Sequence, residues 1–233
     1  MNVYNSIEDF PSEINTIVTI GTFDGVHKGH RVIINCLNNI GKKEGLESVL
    51  LTFHPHPRHV LYPEDQKLKL INTIEEKIDS LARTGLQHLV IHEFTRDFSR
   101  VKSINFIRDV LMKKLRMKYM VVGFDHHFGK NREGTFKDLI ELSDLYDFKI
   151  EKIEPQNSGD ITISSTKIRN AINEGDFHKV NSYLSSIFYL NGKVVKGNNI
   201  GVRIGFPTAN IEIEDKWKII PGNGVYVVKV FVK

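Results

Sequence analysis

Ile20-Gly21-Thr22-Phe23-Asp24-Gly25-Val26-His27-Lys28-Gly29-His30 is the stretch on which the fold turns. Ahead of it, Ile14, Ile17, Val18 and Ile20 make an apolar run of strand character. Behind it, Val32, Ile33, Ile34, Leu37 and Ile40 recur at the spacing of one helix face. A strand therefore ends and a helix begins within this stretch. A helix N-terminus carries unpaired N–H groups and the positive end of the helix dipole, and both attract phosphate. Gly21, Gly25 and Gly29 leave the backbone open to close approach by a ligand. His27 and His30 can donate hydrogen bonds to a triphosphate and to the charge that builds as it is cleaved. Taken alone, the same residues describe a turn with two surface histidines, so the rest of the chain has to decide.

Outward from this turn, strand-like and helix-like runs alternate. Strands are predicted over 14–20, 48–53, 88–92, 119–123 and 148–153, and helices over 73–83, 102–115 and 135–146. Alternation of this kind with continuous apolar strands implies an α/β domain: a Rossmann-like parallel sheet with helices on both faces. Ligands of such sheets bind beyond the carboxyl ends of the strands. From residue 186 the character changes. Residues 187–195 read as a strand bending at Gly192, and 225–232 as near-continuous β-former, with Gly197, Gly201, Gly205, Gly222 and Gly224 between them. This predicts a partial antiparallel β segment over 186–233, after a first domain over 1–185.

Composition bounds the function. The chain has 233 residues, 40% hydrophobic and 26% charged, the make-up of an ordinary globular protein. No apolar run approaches the ~18 residues of a membrane span, and no signal peptide is evident, so the cytoplasm is the expected compartment and no membrane partner is expected. Cys36 is the one cysteine and reads as a small core residue rather than a nucleophile. Net charge is +4. The densest basic cluster, Lys113, Lys114, Arg116 and Lys118, closes a predicted helix, where cations favour the dipole. It therefore reads as a solvated helix end rather than a nucleic-acid patch, and nucleic acid is not an expected partner. A monomer is the default expectation.

Three further motifs lie at strand ends. Thr52-Phe53-His54-Pro55-His56-Pro57 closes the second strand, and its prolines predict a rigid extended loop. His54, His56 and His59 lack the regular spacing and further ligand of a zinc site. Val122-Gly123-Phe124-Asp125-His126-His127-Phe128-Gly129 closes the fourth strand, followed by Asn131-Arg132-Glu133-Gly134. Ile163-Ser164-Ser165-Thr166-Lys167-Ile168-Arg169 places hydroxyls before a helix that Gly175 closes, a second phosphate-binding candidate in which Arg169 offers a planar donor fork.

Together these motifs resemble, in number and order, the bacterial bifunctional riboflavin kinase/FMN adenylyltransferases. His27-Lys28-Gly29-His30 is similar to the nucleotidyltransferase signature His-x-Gly-His. The resemblance implies FAD synthesis from FMN and ATP with Mg²⁺. The FMN phosphate attacks the ATP α-phosphorus in line and pyrophosphate leaves. It implies His27, His30 and Arg169 as catalytic residues. It implies Gly21, Phe23, Asp24, Gly29, His30, Ser164, Ser165, Thr166 and Arg169 around ATP. Phe53, Pro55, His56, Pro57, Asp125 and Phe128 would lie around FMN, with Asp125 also facing the metal. His126 stands where the family carries a second aromatic. The alternatives are a nucleotidyltransferase with another acceptor, and a non-catalytic flavin- or nucleotide-binding protein.

Gly201-Val202-Arg203-Ile204-Gly205-Phe206-Pro207-Thr208-Ala209-Asn210 resembles the opening of the riboflavin kinase module, with Thr208 and Asn210 at the positions that hold ATP phosphates and Mg²⁺. Val202 stands where that family typically has arginine. That module is a closed β-barrel, and residues 186–233 are too few to close one. The expectation is an incomplete kinase part, with riboflavin phosphorylation in doubt.

Overall fold

The predicted apolar strands lie side by side in one parallel sheet. The computed structural model describes residues 1–65, 67–124, 128–130, 133–154, 157–158, 161–198, 200–203 and 205–232. The sheet holds β1 (Asn2–Tyr4), β2 (Thr16–Ile20), β3 (Glu47–His54), β4 (His88–Glu93), β5 (Met117–Gly123) and β6 (Lys149–Ile153), in the order β1-β4-β3-β2-β5-β6. Every pairing in it is parallel. The chain winds outward from β2 to β3 and β4, then crosses back to β5 and β6 on the other side of β2. The crevice above the carboxyl ends of β2 and β5 is therefore the topological switch point at which such sheets bind ligands.

The helices follow from the alternation of apolar residues in the strands. Ile17, Leu50, Leu89 and Val121 face one side, where they meet Ile34 and Leu37 of α1 (Lys28–Glu44) and Leu81 of α3 (Ile74–Ala82). Val18, Val49, Leu51, Val90 and Met120 face the other, against Phe106, Ile107 and Leu111 of α4 and Leu139 of α5 (Phe136–Tyr146). Helix α4 begins as Ser103–Asn105 and continues in π geometry over Phe106–Lys114, ending on a bond from the Leu115 N–H to the Val110 carbonyl. A third core joins α6 (Ser165–Glu174) and α7 (Phe177–Leu184) through Ile168, Ile172, Val180 and Leu184, with Ile71 and Ile219 wedged between them.

Several expectations need correction. Residues 54–57 are not a fully extended loop: the His54–Pro55 bond is cis, and Pro57 opens a short helix α2 (Pro57–Leu61) capped by His56. Proline suits a first helical position, where no N–H is needed. β1 is an edge strand too short to show a period. Of 187–195, Lys193–Val195 alone is strand; as β9 it pairs antiparallel with β10 (Asn210–Glu212), while β7 (Asn157–Ser158) and β8 (Ile161–Thr162) make a separate hairpin. Residues 225–232 form no strand, and Val225, Val227, Val230 and Phe231 are exposed. High β-propensity needs a neighbouring strand to hydrogen-bond, and none lies beside this segment among the described residues.

Candidate active site

The loop from β2 to α1 carries the site, and it is held in unfavourable backbone conformations. Phe23 and Val26 have φ of 47° and 41°, in the left-handed region that non-glycine residues avoid. Gly25, at φ 85°, packs so tightly that an added Cβ would lie 2.9 Å from Ile71 Cδ1. Residues over-determined in this way concentrate at functional sites. The loop delivers His27 to the N-cap of α1, where its Nδ1 accepts from the His30 N–H at 3.4 Å. In the neutral ring the proton then sits on Nε2, free to donate.

The rings of Phe23, His30 and His27 form one stack, with centroids 4.5 Å and 3.6 Å apart. Gly29 permits it: a Cβ there would lie 3.2 Å from the His27 ring. The space expected for a ligand beside Gly21 and Gly29 is thus taken by the Phe23 and His27 rings. Burial pushes His27 down to about 4, with Asp24 opposing the shift and Arg169 adding to it. His30 is held well below the ordinary histidine range, by burial first and then by repulsion from His27 and Lys77. Both rings are neutral at pH 7. His30 Nδ1 is buried with no hydrogen-bond partner among the described residues.

Asp24 ties the site together. Its carboxylate accepts from the Ile71 N–H at 3.0 and 3.1 Å and the Asn72 N–H at 3.2 Å, and it pairs with Arg169 Nη2 at 2.7 Å. The Ser165 hydroxyl donates to the Asp24 carbonyl at 2.9 Å. The N-termini of α1 and α6 are thereby brought together, although 141 residues separate Asp24 from Ser165. Asp24 has no oxygen left over for a ligand; its place in the geometry is to fix Arg169. Ser164 caps α6, accepting from the Lys167 N–H at 3.4 Å, and Thr166 is exposed at the same end.

On the β3 side, Phe53 sits half-buried among Phe94 and Phe98. Pro55 and Pro57 bracket His56, whose ring caps α2 by accepting from the Arg58 N–H at 3.2 Å. Burial lowers His56 to about 4, with Asp24 opposing and His59, Lys77 and Arg169 reinforcing. His59 stacks on Trp217 with centroids 3.7 Å apart, and no group of three potential metal ligands occurs among the described residues. Phe128 is buried in the sheet core and bridges to Gly134. Asp125, His126, Asn131 and Arg132 lie outside the described residues. Thr208 lies just before β10 and Asn210 opens it, and both are exposed.

Sequence reasoning missed Lys77. It is buried beside the cleft lined by Asp24, Phe53, His56 and Asn72, and its Nζ donates to the Thr22 carbonyl at 2.7 Å. The Thr73-x-x-Glu76 pattern does mark the start of α3 as a capping box, which the structure contains, but no pattern shows where the next side chain points. Lys218 was also missed; it forms a buried ion pair with Glu76 at 2.5 Å.

The sequence matches the family described as FAD synthetase over residues 9–167 and that described as riboflavin kinase over 184–233. The bifunctional riboflavin kinase/FMN adenylyltransferase of Listeria monocytogenes is 36% identical over 94% of this chain and 68% of that protein. That of Escherichia coli strain K12 is 35% identical over 97% and 71%. A solved structure described as a macrolide-efflux protein from Streptococcus pneumoniae superposes with a TM-score of 0.85 at 31% identity, covering 96% of this chain and 72% of that one. No helix among the described residues is long and apolar enough to cross a membrane. With its sheet, its histidine turn and its two matched segments in that order, the chain belongs to the bifunctional riboflavin kinase/FMN adenylyltransferase family.

Proposed function

We propose that the chain makes FAD by transferring AMP from ATP to FMN, with the loop cluster around Asp24 as the catalytic site. One observation carries this reading: two helix N-termini, each with donor side chains, converge beside the switch point of the sheet. The His27 and His30 rings meet the α-phosphate and the charge that develops there. Ser165, Thr166 and Arg169 hold the phosphates that leave as pyrophosphate. Phe53 and the Pro55-His56-Pro57 turn border the flavin. No base is required, because the FMN phosphate is already ionised, and positioning with charge stabilisation supplies the rate.

The donor set does not make a metal cage among the described residues, since the Asp24 carboxylate is fully engaged. We therefore assign Mg²⁺ to the nucleotide as Mg-ATP, where it neutralises phosphate charge. The proposed domain split stays at residue 185, supported by the end of α7 at Leu184 and the left-handed Ser185 that follows. The substrates are those of the cytoplasm, the proposed compartment.

The test is His30→Ala, assayed with FMN and Mg-ATP for FAD and pyrophosphate. Removing one such donor costs on the order of 100-fold in rate. Near-normal turnover in a folded variant removes His30 from the mechanism. Riboflavin supplied in place of FMN reads the kinase part in the same assay.

A further inference from the structure

Lys77 is a buried cation without a counter-ion in direct contact. The residue is 6% exposed, and its Nζ makes one hydrogen bond, to the Thr22 carbonyl. No carboxylate pairs with it among the described residues. Glu76, its neighbour in α3, is taken by Lys218, and Asp24 is taken by Arg169 and two backbone N–H groups. An ammonium carries three N–H donors, and two have no partner among the described residues. Burial of such a group lowers the stability of a fold unless something repays it.

The surroundings say what repays it. Lys77 shares a cleft with Asp24, Phe53, His56, Asn72 and Ile74. Its charge is felt by both His30 of the histidine stack and His56 of the β3 turn. Adenylyl transfer brings two anionic phosphates within bonding distance, a repulsion that a dry site amplifies. The helix N-termini of α1 and α6 serve one of these groups. We propose that Lys77 binds the phosphate of FMN and holds it in line for attack on the α-phosphorus. A new bond forms from the FMN phosphate oxygen to the α-phosphorus while the α–β P–O bond breaks. The electron pair leaves with pyrophosphate, and Lys77 exchanges no proton. This rests on the adenylyl-transfer reading above.

The test is Lys77→Met, with FMN and riboflavin binding measured by flavin fluorescence and folding by thermal melt. The two flavins differ by the phosphate alone. The expected result is FMN affinity reduced by about tenfold or more, the worth of a charge-assisted hydrogen bond, riboflavin affinity unchanged, and a Tm equal to or above that of the wild type. FMN affinity unchanged, or both affinities falling in parallel, overturns the assignment. Should Lys77→Met not fold, Lys77→Arg keeps the charge. It is expected to bind FMN more tightly than riboflavin while kcat falls, and equal weakening of both flavins overturns the proposal. Failure of the wild-type chain to bind FMN at all would instead overturn the site reading itself.

Discussion

At His27, His30 and His56, burial keeps three imidazoles neutral. A neutral stack can lie with centroids 3.6 Å apart, whereas two imidazolium rings at that distance would repel. Under the proposed function, a triphosphate beside these rings would oppose the effect of burial and favour their protonated forms. The same shifts have a consequence for stability. Below about 6.5 the unfolded chain takes up a proton on each ring, while folded His27 and His56 resist protonation down to about 4. Stability is therefore full above pH 6.5 and falls as pH drops toward 4, by up to about 3 kcal/mol for each of these rings. Thermal melts from pH 7.5 to 4.5 are expected to show the decline. His56→Asn, which keeps a side-chain acceptor for the Arg58 N–H, is expected to make it shallower, and an unchanged slope would remove His56 from the account.

Among the elements, the relation of α1 to α6 decides whether there is a site. Each helix is legible by itself: α6 has its serine cap and its closing Gly175, and α1 its apolar stripe. Their meeting depends on Asp24, whose carboxylate spans Ile71, Asn72 and Arg169. Asp24→Asn removes the charge that holds Arg169 and leaves a guanidinium buried without its partner. Breaking a buried pair in this way costs about 3–5 kcal/mol, read as a shift of the denaturation midpoint, and FAD formation is expected to fall with it. A variant of unchanged stability would show that Arg169 is held by other means. Asp24 in the sequence reads as a ligand to ATP, because an acid in a glycine-rich phosphate loop invites that reading. The structure turns it inward, onto the Ile71 and Asn72 N–H groups and Arg169.

Across the whole molecule, the segment matched to riboflavin kinase is docked on the FAD synthetase part. Leu70 and Lys218 form a bridge, with Leu70 N–H to Trp217 O at 2.7 Å and Ile219 N–H to Leu70 O at 2.8 Å. Lys218 Nζ reaches the Ile71 carbonyl at 2.6 Å and Glu76 at 2.5 Å, and lies over the Phe188 ring. The backbone it grips is the one that holds Asp24. Lys218→Met strands the buried Glu76 carboxylate and is expected to cost about 3–5 kcal/mol. Adding Glu76→Gln removes the orphaned charge and is expected to restore most of the loss in a chemical denaturation series. If the double variant is as unstable as the single one, packing of the Lys218 stem, and not the charge pair, fastens the two parts together.

The alternation of β2–β6 with their helices, the parallel sheet and the histidine turn after β2 are determined by the sequence itself. They rest on periodicity, capping and turn chemistry, which act over a few residues. The tertiary structure alone decided that Asp24 faces inward to Arg169, that Phe128 is core, that Lys77 enters the cleft and that Lys218 closes on Glu76. The Lys77–Thr22, Lys218–Glu76 and Asp24–Arg169 contacts join residues 55, 142 and 145 positions apart, and local pattern carries no information about which distant side chain will fill a buried space or balance a buried charge. The strand expected over 225–232 failed for the same reason in reverse: propensity is local, but a strand exists only beside a partner.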